Sequence, residues 1–471
     1  MSNTTKRIIT IMTILAVLSL SACKSEEQSS SSASSAATTT SASDTVSSEA
    51  ESEQTSSEQE VSDEASSEQA SSDEVASSDE TDSSDDTTSV STSDTAGISD
   101  IKILEAESSN TSLSQGSATV TIGNKQVTLN GAYIIDGIDA TITGGTYTST
   151  ETDQNVFLVI NGGSLKISNA EIVKTGDAST NDSQRTSDVS DDYNFYGINS
   201  VILVVGENSS AEITDCTITS DCSGANAIFS TDSATANVDN VQITTTGNSS
   251  RGVYATYNGT INAEHIDITT SGAHCAPIAT DRGGGYVTVK NSTVQCSGDG
   301  SPCIYSTGEI TVENVVGTST GAQAAVIEGK NSITMTNCDF TVSGGNNGVM
   351  LYQSMSGDAA DSDATTNCST LTMSGTTIRN NTDGAMFYIT NTTSTVNLNG
   401  ANTLECSNGE LVSAATGRWG NDGSNGGTLT LNIASDTISE SVSADDISSV
   451  TINTSDGGSF TGSTSGSVTV S

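Results

Sequence analysis

Glu212-Ile213-Thr214-Asp215-Cys216-Thr217-Ile218-Thr219 decides the fold, because its phases return along the chain. The apolar anchor Ile213 is followed two residues on by Asp215, three on by Cys216 and five on by Ile218. Equivalent anchors stand at Ile167, Val238, Ala263, Val289, Val312, Met335 and Met373. Two residues after these come Asn169, Asn240, His265, Asn291, Asn314, Asn337 and Gly375, a ladder of asparagine and its substitutes. A third apolar patch, at Ile228, Val253, Ile278, Ile304, Val326, Val349 and Phe387, follows fourteen or fifteen residues behind its anchor.

The anchors from Ile213 to Met335 are spaced by 25, 25, 26, 23 and 23 residues, with longer gaps of 46 before and 38 after. Three short apolar patches returning at a near-constant interval describe a solenoid, and the long gaps are loops inserted at its corners. Apolar residues alternate with Thr and Ser inside each patch, so the patches are strands and helix has little support. The fold expected is an all-β, right-handed parallel β-helix over residues 100–471. It should contain about ten or eleven coils and reach roughly 50 Å at one strand spacing per coil. The ladder falls where the chain must bend, and Asn or Gly tolerates positive φ there. Its amides are expected to bond the backbone of neighbouring coils. Val120–Tyr147 and Thr428–Val470 are the expected end coils. Two prolines, 43 glycines and 4% aromatics suit a sheet that uses every N–H around a narrow aliphatic core.

Residues 1–23 read as a targeting segment. Lys6-Arg7 precede an apolar run from Ile8 to Leu20, and Leu20-Ser21-Ala22-Cys23 resembles the lipobox in which Cys23 carries the lipid. Residues 24–99 are almost entirely Ser, Thr, Ala, Glu and Asp, a composition too polar and too acidic to order itself. As a disordered tether it would have a coil dimension of about 45–50 Å and a taut length of about 250–270 Å. These features predict an extracytoplasmic protein, monomeric, held to a bacterial membrane by lipid alone and displayed at the cell surface. With 58 acidic and 14 basic residues, net charge −44, the chain lacks the Lys/Arg clusters that nucleic acid requires.

Eight cysteines remain beyond Cys23, with no zinc-type spacing. Cys216 and Cys338 sit at the inward phase that holds Val241 and Ile266 in other coils, and read as small buried hydrophobes. Cys303 has two possible disulfide partners, Cys275 and Cys296. His265 occupies the ladder and reads as a bend residue, whereas His274 lies in a loop and stays a weak catalytic candidate.

Asn381-Thr382-Asp383-Gly384 echoes a motif of polygalacturonase-type hydrolases, but the Gly-His-Gly and basic motifs those enzymes need further along are missing, so it reads as a turn. The best site candidate gathers acidic, basic and aromatic groups near the third apolar strand: Asp281, Arg282, Glu328, Lys330 and Tyr352, with Tyr257, Arg418 and Trp419 extending a sugar-binding surface. Arg282, Lys330, His274 and Asp281 are the weak catalytic candidates. Asp358, Asp361 and Asp363 are the candidate calcium ligands, calcium being the one cofactor considered. A solvated salt-bridge row is the structural alternative for Arg282, Glu328 and Lys330.

The coils, the ladder and several loops together resemble the pectin-lyase-like right-handed β-helix superfamily, and more closely its secreted, adhesin-like bacterial members. The loops are Asn194-Phe195-Tyr196-Gly197, Gly272-Ala273-His274, Asp281-Arg282-Gly283-Gly284-Gly285, Gly298-Asp299-Gly300-Ser301-Pro302, Glu328-Gly329-Lys330-Asn331-Ser332, Gly348-Val349-Met350-Leu351-Tyr352-Gln353-Ser354 and Arg418-Trp419-Gly420. The resemblance implies the fold and leaves three functions. These are a non-catalytic adhesin or polysaccharide-binding module, a lyase or hydrolase acting on acidic glycans, and a passive surface spacer. The missing catalytic motifs favour the first, with a glycan, host surface or cell wall as partner.

Overall fold

Three parallel faces wind around one apolar core. In the computed structural model, residues 113–180, 188–354 and 369–471 are described, and they belong to one compact unit, Thr95–Ser471. The targeting segment with Cys23, the tether, and Asp358, Asp361 and Asp363 lie outside the described residues.

Face A is a fourteen-stranded sheet whose first strand, Ser114–Ile122, is antiparallel to its second, Lys125–Asp136. The other thirteen strands are parallel, one per coil, ending at Thr464–Ser465. The chain is thus a right-handed parallel β-helix of about thirteen coils, not ten or eleven. The extra coils escaped the ladder because their bends use other residues, at Gly144-Gly145 (φ 71° and 92°), Gly400 (92°) and Ser435 (67°). The hairpin Ser114–Asp136 covers the first coil's edge, which starts slightly earlier than the expected end coil.

Faces B and C meet at the ladder. Asn169, Asp215, Asn240, His265, Asn291, Asn314, Asn337 and Gly375 all have φ between 50° and 62°. The expected bond direction differs. Each rung's backbone N–H reaches the next coil's carbonyl, as from Asp215 to Asp239 (3.1 Å) and from Asn240 to Glu264 (3.2 Å). The side chains instead point outward and bond one another: Asn240 Nδ2 to Asp215 Oδ1 (2.6 Å), Asn314 Nδ2 to Asn291 Oδ1 (2.8 Å). A left-handed bend aims the N–H along the solenoid axis and leaves the side chain in solvent.

The corner from face C to face A is a second ladder, made of glycine. A Cβ on Gly272 would stand 2.0 Å from the Gly247 carbonyl oxygen, and one on Gly298 would stand 1.7 Å from that of Gly272. At these two positions a Cβ would collide with the backbone of the preceding coil. His274 (φ 57°) follows in the same turn, its N–H donating to the Asp299 carbonyl (2.9 Å). It is a bend residue like His265.

Inside, the register stacks Ile228, Val253, Ile278 and Ile304 in one column. The neighbouring column faces outward and is also apolar in its first coils: Ile134, Leu158, Leu203, Phe229 and Tyr254. It is covered by Ile122, Val127 and Leu129 from the hairpin and by Phe195 and Tyr196 from a short helix, Asp191–Tyr196. That helix, ended by Gly197 at φ 73°, sits in the long gap before Ile213 and was not expected. Its cover places a second core on the outside of face A, where each buried aromatic contributes roughly 1.5–3 kcal/mol.

Candidate functional site on the outer side of face A

The outer side of face A changes character along its length, and the site is built where the apolar cover ends. In successive coils the outward column continues from Tyr254 through Ala279 to Tyr305, Val326, Met350 and Tyr388. Two residues further along the same strands stand Asp281, Thr307, Glu328 and Tyr352. The face shared by Asp281, Glu328 and Tyr352 therefore exists as expected.

Two polar knots occupy it. In the first, Asp281 Oδ2 accepts from Tyr254 Oη (2.5 Å), and Asp281 Oδ1 accepts from the Arg282 N–H (2.8 Å). Beside it Arg251, 8% exposed, donates from Nη1 to Asn194 Oδ1 (2.7 Å) and lies 4.6 Å over the Tyr254 ring. Burial pulls its guanidinium down, but Tyr254, Asp281 and Asp188 outweigh that and raise its pKa above the usual value. Asp188 Oδ1 accepts from the Val189 N–H (2.8 Å) and from Ser249 Oγ. Its burial would push the carboxyl up, yet Arg251, Ser249, His274 and Asn194 bring it below the ordinary range. This knot pins the helix to the solenoid.

Arg282 belongs to the same cover, its guanidinium 4.0 Å over the Phe195 ring. Tyr257 does too. At φ 44° it stacks on Tyr196, with ring centroids 5.8 Å apart and planes at 10°, and burial raises its pKa.

In the second knot Glu328, 2% exposed, receives both Tyr305 Oη and Tyr352 Oη on Oε2, the latter at 2.7 Å. Its Oε1 is buried without a partner, as is Thr307 Oγ1 one coil earlier. Burial, then the Glu328 charge, pushes both phenols well above their usual pKa. Tyr352 in turn meets Trp419 at 4.6 Å and 49°, and Arg418 lies 4.5 Å over the indole. The loop carrying Trp419 follows Glu410–Ala414 and folds back two coils. Asn425 Nδ2 fixes it by donating to the carbonyls of Gly417 and Trp419, both at 2.9 Å. Trp419 is half-buried and Arg418 exposed, so the stack has one open side. Lys330 is exposed two residues beyond Glu328.

Residues that the sequence placed at one corner therefore divide: Asp281, Arg282 and Tyr257 support the covered end, while Glu328, Tyr352, Arg418 and Trp419 form the open cluster. Tyr305 and Arg251 were missed. Tyr305 was legible, since it follows Ile304 by one residue and so must face outward. Arg251 carried no pattern signal. A surface hollow of about 580 Å³ lies elsewhere, on the ladder corner beside Asn169 and Asp215. It is an open groove between rungs and gathers no convergent chemistry. Among the described residues no three His, Cys, Asp or Glu side chains group as metal ligands. Compared with protein-family models, curated proteins and solved structures, the chain has no match.

Proposed function

We propose that this chain is a lipid-anchored surface protein whose β-helix binds a glycan through the Trp419–Tyr352 stack, without cleaving it. The single observation that carries the reading is that stack: two aromatic rings at 4.6 Å, an arginine on one side and a buried Glu328 beneath. Aromatic faces cover sugar C–H surface, while carboxyl, phenol and guanidinium groups bond hydroxyls. The Leu20-Ser21-Ala22-Cys23 lipobox and the acidic tether of residues 24–99 supply anchor and reach, which suits capture of polysaccharide or adhesion to a surface. Kinship with adhesin-like members of the pectin-lyase-like superfamily is part of the proposal, supported by the three faces and the Asn ladder.

Trp419 is the only tryptophan, so fluorescence excited selectively at tryptophan reports this site alone. Titration with plant, mucin and bacterial glycans, with and without calcium, should shift or quench the emission for one glycan class, with no new reducing or unsaturated ends. Saturable binding that leaves Trp419 fluorescence unchanged and survives Trp419→Ala would move the site elsewhere and sink the proposal. One observation favours a hydrolase as second reading. Asp281 and Glu328 are both buried and two coil spacings apart, about 9.5 Å, at the wide end of the inverting-glycosidase separation. New reducing ends abolished by Glu328→Gln would establish that reading in place of the first.

A further inference from the structure

The turns between faces C and A are closed by a repeated polar contact. In several coils the last residue of the face-C strand points inward and bonds across the turn. Thr245 Oγ1 donates to the Ser250 carbonyl (2.5 Å), Thr270 Oγ1 to that of Cys275 (2.6 Å), and Ser319 Oγ to that of Ala322 (2.9 Å). The register places Cys296 in this column, between Thr270 and Ser319. There Cys296 Sγ lies 3.7 Å from Cys303 Sγ, seven residues on, and both are at most 3% exposed. Among the described residues this is the turn where sulfur faces sulfur.

Cys275 is committed differently. It fills a ladder position otherwise held by Ser250 and Ser301. Ser250 Oγ accepts from the Ala225 N–H (2.9 Å) and donates to the Cys222 carbonyl (2.8 Å). Ser301 Oγ likewise accepts from the Cys275 N–H (2.9 Å) and donates to the Gly272 carbonyl (3.0 Å). Cys275 Sγ does the same with the Ser250 N–H (3.0 Å) and the Gly247 carbonyl (3.1 Å). Its sulfur stands in for a hydroxyl and has two backbone partners to lose.

We infer that Cys296 and Cys303 are an oxidation site that forms an intrachain disulfide stapling this one turn, and that Cys275 stays a thiol. From 3.7 Å the two sulfurs must close by about 1.7 Å to reach the disulfide bond length. The two thiols share one hydrogen bond, which favours ionisation of one of them, and Cys296 is taken as the attacking sulfur. The co-reactant is a disulfide oxidant. The Cys296 thiolate attacks one of its sulfurs and expels a thiolate. Cys303 then attacks Cys296 of the mixed disulfide, and the oxidant leaves as two thiols carrying both protons. Burial sets the timing: the bond forms as the coil closes during folding and is then shielded. The staple ends one residue before Ile304-Tyr305, so it would clamp the strand that delivers Tyr305 to Glu328.

The test is peptide mapping of the full chain, unfolded, reduced and refolded in oxidised and reduced glutathione, with unreacted thiols alkylated before digestion after Lys and Arg. Cys296 and Cys303 fall on one fragment, Asn291–Lys330, and Cys275 on another, Gly252–Arg282. The expected result is an Asn291–Lys330 fragment two hydrogens lighter that takes no label until reduced, and a fully labelled Cys275. Cys275→Ser should leave that result in place. Cys296→Ser, which restores the hydroxyl found at Ser319, should fold, label at Cys303 and lose the drop in melting temperature that reduction causes in the parent. Full labelling of both cysteines in natively refolded protein, or a cross-link joining the two fragments, overturns the inference.

Discussion

The outer side of face A carries two halves built on the same strand register and put to opposite uses. In the early coils Leu158, Leu203, Phe229 and Tyr254 point outward and are buried under the hairpin and the helix Asp191–Tyr196. In later coils the same column reads Tyr305, Val326, Met350 and Tyr388, and the residues beside it are Glu328 and Tyr352. Strand alternation alone makes both sides of a parallel sheet available. What separates core from site is whether an insertion returns to cover it. The long segment before Ile213 covers the first half with apolar side chains, and the Trp419 loop reaches the second half with one aromatic ring and leaves an open side.

If the first half is structural, breaking its polar knot should cost the most. Arg251→Ala removes a buried cation that bonds Asn194 and offsets the charges of Asp188 and Asp281, and the expected loss is about 3–5 kcal/mol, the scale of leaving buried charge uncompensated. Denaturant unfolding followed by circular dichroism measures it. A loss below about 1 kcal/mol would mean that the helix is not pinned through this residue. The same knot sets an acid limit. The Asp188 pKa is lowered in the fold, so its contribution is present above the unfolded carboxylate pKa and fades as pH falls through the folded value. Arg251→Ala should flatten that acid limb.

The second half should answer differently. Trp419→Ala is expected to weaken glycan binding by roughly tenfold to a hundredfold, about 1.4–2.8 kcal/mol, while changing stability by less than about 1 kcal/mol. Calorimetric titration and a melting curve on one sample separate the two effects. A variant that melts much earlier would turn Trp419 into a structural plug and erase the distinction between the halves.

Alkali probes the base of the site. Tyr305 and Tyr352 are raised by burial first and by the Glu328 charge second, so they stay protonated when unfolded tyrosines ionise. A raised folded pKa contributes stability that is whole below the unfolded value of about 10 and is lost as pH climbs toward the folded values. Stability should therefore fall from about pH 10 upward, and alongside Tyr147 and Tyr257, which burial also raises, these two phenols should titrate late in ultraviolet absorbance. Glu328→Gln should bring both back part of the way, since burial remains. Two tyrosines that titrate normally would show the knot open to water.

How much of this was legible follows from which features repeat. The ladder residues, the inward Ile and Val columns and the shared face of Glu328 and Tyr352 obey a fixed phase, so spacing alone placed them. Coils whose bends use Gly144-Gly145, Gly400 or Ser435 lack that mark and were undercounted. The helix Asp191–Tyr196 is only six residues long and shows no 3.6-residue stripe, so periodicity does not reveal it. Arg282 and Tyr257 looked like site residues because charge and aromatic character are visible in sequence. That their partners would be Phe195 and Tyr196, some sixty to ninety residues earlier, depends on where an insertion folds back.

The smallest effect belongs to the ladder itself, which treats both halves alike. His265 is exposed, its Nδ1 2.9 Å from Asp239 Oδ1, with Glu264 Oε1 3.7 Å from Nε2. The hydrogen bond to Asp239 is the main cause that raises its pKa; desolvation opposes it, and the Glu264 and Asp239 charges add smaller raises. The stability this adds is complete below the unfolded histidine pKa and is lost as pH rises through the folded one. Because the pair is screened by solvent, replacing it should matter little. His265→Asn supplies the residue that Asn240 and Asn291 already provide in the adjoining coils, keeps positive φ accessible, and is expected to leave the melting temperature nearly unchanged. Nuclear magnetic resonance should place the His265 midpoint above 6.5 in the parent and nearer 6.5 in Asp239→Asn. A large destabilisation by His265→Asn would show that the rungs hold the coils through their side chains, against the backbone bonding that the left-handed bends provide.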